Sequence, residues 1–597
     1  MIKILGISCY YHDSAAVLLN DGKIVVAAEE ERFSRIKHDS GFPKKAIDFC
    51  LSEGKVKPKE LDFVVFYEKP YVKFERILKQ TLFVFPRSRK FFVKSMQEWL
   101  TKKLWIKGEL ADNVGVLPEK ILFSDHHVSH AASAFYPSPY KKAAILTLDG
   151  VGEWSTASYG IGNENKIEIT HELRFPHSLG LLYSVFTAFL GFEVNEGEYK
   201  VMGMAPYGRP LYADKIKKIL KIYDDGSIKL DMNYFTFHFS PDKNFNRKFE
   251  KLFGSPRPKD ELFFTQKTGY PKFWGEKPDD FEKKCQENQK YADVAASIQE
   301  VSEEAILKMC KYVHKKTRLT NLCMAGGVAL NSAANGKIVK NSPFKNLWVQ
   351  PAASDAGGAL GAALYLYHHL LKNKTRYEMP HAFWGQSYKR SEIKKSLGSL
   401  ISPTSPISLK EYKSDKLLIK DVALALTKKR VVAWFEGAFE WGPRALGHRS
   451  ILADPRDQNM KDIVNAKIKF REPYRPFAPA VLEESAQDFF EIDDSKGGPA
   501  KFMIIVIPTK GDRGKLIPAV NHLGTSRIQT VDAQNHPRYY QLIKEFGKLT
   551  GVPVIMNTSF NLRGEPIVNS PEDAYSTFIR SGIDILVMEN FVIEKNN

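Results

Sequence analysis

Residues 4–28 read ILGISCYYHDSAAVLLNDGKIVVAA. Apolar runs at 4–7, 15–19 and 24–28 are separated by a polar bend holding His12 and Asp13 and by the turn Asn20-Asp21-Gly22. Short apolar runs bounded by turn residues predict a strand meander, with a tight hairpin at the second turn. The arrangement returns at residue 143, where AAILTLDG, a Gly-containing turn and STASYGIG again give strand, acidic turn, strand. Two such units in one chain predict a duplicated core whose first turns face a common cleft.

Two later segments extend the pattern. NLCMAGGVALNSAANGKI (321–338) reads as strand, Gly-Gly turn and helix, and LWVQPAASDAGGALGAALYLY (347–367) reads as strand, acidic turn and a helix of small residues. Glycine lets backbone N–H groups approach a phosphate or ribose, and a helix N-terminus favours the anion. Gly326, Gly327 and Asn331 are therefore candidate nucleotide contacts. The fold class expected is α/β, with an N-terminal actin-like ATPase domain of the duplicated RNase H-like kind over 1–370 and an insertion at about 224–288. Residues 371–390 are polar and turn-rich, a linker. The remainder, 391–597, alternates strands (VVAWFEG, KFMIIVIP, VPVIMN, DILVMEN) with helical stretches and reads as a separate α/β domain.

A length of 597 residues exceeds what one core usually fills, and 43% hydrophobic with 26% charged residues excludes a disordered or fibrous chain. No uninterrupted apolar run reaches the roughly 18 residues of a membrane span, and the N-terminal apolar run is too short for a signal peptide. The five cysteines are widely spaced without a CxxC, against a disulfide framework or zinc ribbon. A cytoplasmic, reduced protein is expected. The net charge of +18 is partly local: residues 67–109 carry 11 Lys or Arg against 4 Glu, interleaved with aromatics. That stretch reads as a helix pair that buries its aromatics and solvates its basic face, or as a contact for an acidic acceptor or a surface.

Two constellations carry chemistry. In DHHVSHAASAF, His126 and His130 lie four apart, on one helical face and suited to one metal ion, while His127 points elsewhere. Asp149 in TLDGVGEW and Asp355 in PAASDAGG sit at strand ends expected to converge on the same cleft. Two imidazoles with two carboxylates suit Fe(II) first, then Mn(II) or Zn(II). The second constellation is basic: Arg444, Arg449 and Arg456 in WGPRALGHRSILADPR, and Lys467, Lys469, Arg471 and Arg475 in KIKFREPYRPFAP. Guanidinium groups suit bidentate phosphate recognition. MNTSFNLRGEP adds Asn557, Ser559 and Asn561 as hydrogen-bonding partners.

These stretches, together with GISCYYHDSAAVL, EEERFSRIKHDSGFP, GEYKVMGMAPYG and MAGGVALN, resemble the NodU/CmcH carbamoyltransferases over nearly the whole chain. The resemblance implies an N-terminal domain like the enzyme that makes threonylcarbamoyl adenosine on tRNA and a C-terminal YrdC-like domain. The latter would join carbamoyl phosphate and ATP, with Mg(II), into carbamoyl adenylate, and the N-terminal domain would pass the carbamoyl group to a hydroxyl of a small-molecule acceptor. By motif position it implies His126, His130, Asp149 and Asp355 as metal ligands and His12 and Lys37 as contacts of the reacting group. Arg444, Lys469, Arg475, Arg527, Asn557 and Ser559 would bind phosphate and nucleotide. No nucleic-acid partner is expected, and the oligomeric state, a homodimer included, is left open. Alternatives at this stage are threonylcarbamoyl transfer to tRNA and an actin-like kinase or ATPase.

Overall fold

The computed structural model describes residues 1–259, 261–402, 406–492 and 498–595. The chain forms two compact units: one gathers Met1–Ala27, Ser40–Gly269 and Lys277–Glu378, the other Ala28–Asp39, Tyr270–Glu276 and Met379–Asn597.

The first unit contains two five-stranded sheets of one topology. In the first sheet Lys3–Ser8 pairs antiparallel with Ala15–Asn20, beyond which lies Lys23–Glu29; on its other side Phe63–Phe66 and then Ile121–Phe123 add in parallel. In the second sheet Lys142–Leu148 pairs antiparallel with Ser155–Asn163, and that with Lys166–Arg174. Asn321–Ala325 and then Asn346–Val349 add in parallel on the other side. Three antiparallel strands followed by two parallel ones, twice over, is the duplicated RNase H-like core of the actin-like ATPases. The hairpin turn has the predicted chemistry: Asp21 (φ 46°) and Gly22 (φ 78°) both take the positive φ of a type I′ turn. The Asp21 carboxylate also accepts from the Ile2 N–H at 2.7 Å. Lys3–Ser8 is buried over its last five residues, as expected of a strand covered on both faces.

The helix Asp355–Tyr365 is buried along almost its whole length. Its small residues are a packing requirement, since a Cβ on Gly6 would meet the Ala359 carbonyl oxygen at 2.0 Å and one on Gly361 the Ser129 carbonyl oxygen at 1.7 Å. The segment read as an insertion begins in the hairpin of Leu220–Ile222 with Ile228–Leu230 and contains the helix Arg247–Phe253, whose Phe249 and Phe253 pack on Phe186 at 5.2 and 5.1 Å between ring centroids. The 37-residue helix Phe281–Thr317 follows.

The second unit is built on an eight-stranded mixed sheet. Its strands run in the order Ile407–Glu411, Phe591–Lys595, Ile585–Met588, Val432–Phe435, Arg449–Ala453, Val554–Ser559, Ala478–Leu482 and Gln529–Val531. Leu418, Val422 and Leu426 of the helix Asp415–Thr427, and Tyr539, Leu542, Ile543 and Phe546 of Pro537–Thr550, form apolar stripes at helical spacing. Both stripes share a core with Trp434, Ile555 and Val587. KFMIIVIP, read as a strand, is one only at Val506–Pro508: a 3-10 turn covers Gly498–Phe502, and Met503 takes φ 56°. Burial of Ile504 and Ile505 without a ladder explains why an apolar run misleads here.

Candidate metal centre and anion site

His126 and His130 occupy the helix His126–Phe135, 1% and 0% exposed. Their Nε2 atoms face each other at 3.0 Å. The Asp149 Oδ2 lies 3.1 Å from His126 Nε2, and Asp355 Oδ1 lies 3.6 Å from His130 Nε2 and 3.8 Å from His126 Nε2. One donor atom from each residue falls within 4.8 Å of all the others. Each ligand is placed by a backbone feature. Asp149 follows the strand Lys142–Leu148, and its Oδ1 accepts from the Gly327 N–H at 2.9 Å. Asp355 opens the helix Asp355–Tyr365, whose contact at Gly361 lays it against the histidine helix, and its Oδ2 accepts from Tyr67 Oη–H at 3.3 Å.

The electrostatics fit a cation. Burial alone would strip protons from His126, yet Asp355, Asp149 and Glu68 raise its pKa well above the usual value. Burial likewise opposes charge on Asp149, which His126 and His130 nevertheless hold well below the carboxylate range. Asp355 Oδ1 is buried without a hydrogen-bond partner. Donors about 3 Å apart match two ligands each about 2.1 Å from one ion.

An outer layer surrounds this set. Lys73 Nζ donates to Glu68 Oε2 at 2.6 Å, and that oxygen lies 3.8 Å from His126 Nδ1. Glu153 accepts from the backbone N–H groups of Lys69 and His126 at 2.8 and 3.0 Å. The sequence reading passed over both glutamates. For Glu68 a signal existed, because it follows the apolar strand Phe63–Phe66 as Asp149 follows its own strand. His127 turns away, its Nδ1 2.7 Å from Thr147 Oγ1, and burial together with the neighbouring histidines lowers its pKa to about 3.

His12 belongs to this unit, with Nδ1 2.9 Å from Asp13 Oδ2. Burial opposes its protonation, but Asp355, Asp13 and Asp149 prevail and raise its pKa to about 9. Gly326 takes φ 95° and its Cβ position is 2.2 Å from the Leu148 carbonyl oxygen, so only glycine fits. Asn331 caps the helix Ser332–Asn341 by accepting from Ala334 N–H at 3.0 Å, and donates to Gln299 at 3.1 Å.

The second unit assembles the basic site. Lys469 is 4% exposed, and its Nζ donates to Ser559 O (2.6 Å), Ser559 Oγ (3.3 Å), Asn561 Oδ1 (2.8 Å) and Asn561 O (2.9 Å). Burial and the charges of Arg471, Arg475 and Lys37 push its pKa well below the lysine value. Arg471, over the Phe477 ring at 4.2 Å, is lowered in the same way by burial and Arg475. Lys37 thus lies in the Ala28–Asp39 segment of the second unit, whereas His12 lies in the first. Arg35 anchors that segment by donating to Ile567 O at 2.6 Å and Pro566 O at 3.0 Å.

Arg444 sits in a loop wound round Glu440, whose Oε1 accepts from the N–H groups of Leu446, His448 and Arg449 at 2.8, 2.9 and 3.1 Å. Asn557 holds the same loop, donating to Ala445 O at 3.1 Å and Gln529 Oε1 at 2.7 Å. Arg527 ends the strand Thr525–Arg527. Several cations of the basic run are structural: Arg449 donates to Glu436 O at 2.6 Å, Arg456 pairs with Asp454 at 2.7 Å and Lys467 with Asp584 at 2.8 Å.

Comparison with known proteins shows the family. The family model "Carbamoyltransferase N-terminus" matches residues 3–364 and "Carbamoyltransferase C-terminus" matches residues 423–595. The chain therefore belongs to the carbamoyltransferase family, of the nodulation-protein type, and is an enzyme that transfers a carbamoyl group. It is 44% identical to protein sll1178 of Synechocystis sp. (strain ATCC 27184 / PCC 6803 / Kazusa), over 100% of this chain and 97% of that one. It is 35% identical to nodulation protein NolNO of Sinorhizobium fredii (strain NBRC 101917 / NGR234), over 98% of this chain and 79% of that one. Among solved structures, HypF of T. kodakarensis is similar at a TM-score of 0.32 and 14% identity, over 62% of this chain and 48% of that one. A likeness of that size carries no argument, and the fold rests on the sheet topology.

Proposed function

We propose that the enzyme is ATP-dependent and works in two stages, with activation in the second unit and transfer to a small-molecule hydroxyl in the first. In the activation stage carbamoyl phosphate gives carbamate and phosphate with water; a carbamate oxygen then bonds to the α-phosphorus of ATP, and pyrophosphate leaves, its charge met by Mg(II). The observation that carries this stage is Lys469: a buried amine beside Arg471 and Arg475, with its proton affinity depressed by burial and then by its cationic neighbours. Such an accumulation of like charge favours a polyanion in its midst, and fixed cations stabilise the departing phosphates. Arg444, Arg527 and Ser559 would contact the phosphates or nucleotide, and Asn557 would hold the loop that bears Arg444.

In the transfer stage the acceptor oxygen attacks the carbamoyl carbon, AMP leaves, and the hydroxyl proton must go to a base. His126, His130, Asp149 and Asp355 would hold a divalent cation, Fe(II) first among the candidates. When bound, the ion would polarise the carbamoyl carbonyl and offset the two aspartate charges. His12 is the candidate for receiving the acceptor's proton, with Asp13 holding Nδ1. With a pKa near 9 before that offset, His12 is protonated at neutral pH and suited to orienting the acceptor; lowering the local negative charge is what would make it a base. Lys37 would act with the phosphates. Gly326 shapes the turn beside Asp149 and Gly327 holds that residue, while Asn331 shapes the adjoining helix start; these would border a nucleotide in the first unit.

Pyrophosphate release from ATP tests this reading. It should require carbamoyl phosphate, vanish in Arg475→Ala and persist in His130→Ala, which should lose carbamoylated product alone. ADP formation independent of carbamoyl phosphate would instead identify an actin-like ATPase or kinase.

A further inference from the structure

Within the basic aromatic stretch, residues 79–97 contain Lys79, Arg87, Arg89, Lys90 and Lys94 and no Asp or Glu. The structure forms this stretch as a helical hairpin of Pro70–Phe83 and Arg89–Thr101. Its inner side is packed: Trp99 is buried with its ring centroid 5.8 Å from that of Phe74, and Ile77, Thr81 and Ser88 are buried too. The connecting turn is tied by its own bonds, Phe85 N–H to Leu82 O at 3.3 Å and Arg87 N–H to Val84 O at 3.1 Å, with Ser88 Oγ–H donating to Thr81 O. The tip thus has a defined shape.

That shape turns apolar side chains outward. Phe83 is 92% exposed, Phe85 62%, Leu82 59% and Val93 59%. Arg87, Arg89, Lys90 and Lys94 accompany them along the turn and the second helix, all exposed and without an ion pair among the described residues; Lys79 pairs with Glu75. Contiguous exposed apolar residues rimmed by charge mark an interaction surface. The charges select the partner. A second copy of the same face would set cations against cations, whereas an anionic lipid layer satisfies both parts, phosphates meeting the Lys/Arg rim and acyl chains receiving the phenylalanines. No helix among the described residues is long and apolar enough to cross a membrane, so such binding would be peripheral.

We propose that the tip of this hairpin is a docking surface for an anionic membrane, with Leu82, Phe83, Phe85 and Val93 entering the headgroup boundary and Arg87, Arg89, Lys90 and Lys94 contacting lipid phosphates. Co-sedimentation of the full chain with phosphatidylcholine vesicles, with and without phosphatidylglycerol, tests it. Wild type should bind phosphatidylglycerol vesicles at least about tenfold better than phosphatidylcholine alone and release them in high salt. Phe83→Ser/Phe85→Ser should lose about tenfold or more of that binding, and Arg87→Glu/Lys90→Glu a similar share, each with unchanged melting temperature and pyrophosphate release. Several results would overturn the proposal. These are absence of vesicle binding, equal binding to both vesicle types, retention by the phenylalanine variant, or a concentration-dependent dimer abolished by these substitutions without vesicle binding, which would make the face an interface between copies. Tight RNA binding in place of vesicle binding would overturn it as well.

Discussion

Lys469 shows opposing physical influences meeting in one side chain of the second unit. Four oxygens within 3.3 Å accept from its Nζ, an arrangement suited to an ammonium, while burial and three neighbouring cations drive the proton off. An anion among Lys469, Arg471 and Arg475 would reverse the second influence. Because the folded-state pKa is depressed and a bound anion would raise it, anion binding should take up protons, and weaken with rising pH, in the window between the free and bound pKa values. Calorimetry with inorganic pyrophosphate in two buffers of different ionisation enthalpy should reveal the uptake. Lys469→Met should abolish it and weaken binding by roughly 10- to 100-fold. Pyrophosphate binding without proton exchange in wild type would show that Lys469 keeps its proton throughout. The run KIKFREPYRPFAP suggested an anion site, but not that Lys467 would be spent on Asp584 while Lys469, two residues on, turned inward: along one short run, only the backbone direction separates the partly exposed ion pair from the buried amine.

At the scale of elements, the candidate metal centre depends on how closely two helices approach. The helix Asp355–Tyr365 lies so near His126–Phe135 that a Cβ on Gly361 would sit 1.7 Å from the Ser129 carbonyl oxygen. Gly361→Ala should therefore lower stability by about 2 kcal/mol or more and weaken metal binding, since Asp355 would be drawn away from His130. Gly398, in the helix Arg390–Leu400, provides the contrast, with nothing within 4 Å of its Cβ position. Gly398→Ala should raise stability by roughly 0.5–1 kcal/mol through helix propensity. Thermal melts of the two variants should shift in opposite directions; shifts of the same sign would contradict the packing argument. The glycines and alanines of PAASDAGGALGAA were legible as a sign of close packing, but nothing in the string names Ser129 as the neighbour.

For the whole molecule, buried histidines held neutral contribute to the response to acid, and His368 in the first unit and His536 in the second are two of them. His368 is fully buried with Nδ1–H donating to Asn373 O at 3.0 Å, and His536 is 5% exposed; burial lowers the pKa of each to about 4. The unfolded chain binds these protons first, so the stabilisation is complete above the unfolded value near 6.5 and is lost as pH falls from there to about 4. The loss is up to roughly 3 kcal/mol for each histidine. Urea unfolding at about pH 7.5 and about pH 4.5 should show the fall, and His368→Asn should shrink it; equal stability at both would refute the assignment. The strand pattern, the Asp21-Gly22 turn, the His126–His130 spacing and the basic runs were all readable, because each depends on residues a few positions apart. The strand-end position of Asp149 was readable for the same reason, whereas Asp355, expected at a strand end, is the first residue of a helix six positions beyond its strand. The membership of Ala28–Asp39 in the second unit, with Lys37 beside the cations there, was not readable, nor was the pinning of Glu68 by Lys73 behind His126. The exposure of Phe83 and Phe85 on a hairpin whose composition also suits a buried one was equally hidden. Sequence by itself determined the periodicities, turns and kinds of side chain available, since these are local properties of the chain. Tertiary structure alone decided which charges meet, which are neutralised and which apolar groups are left to solvent, because burial and Coulomb interaction depend on distances that chain order does not contain.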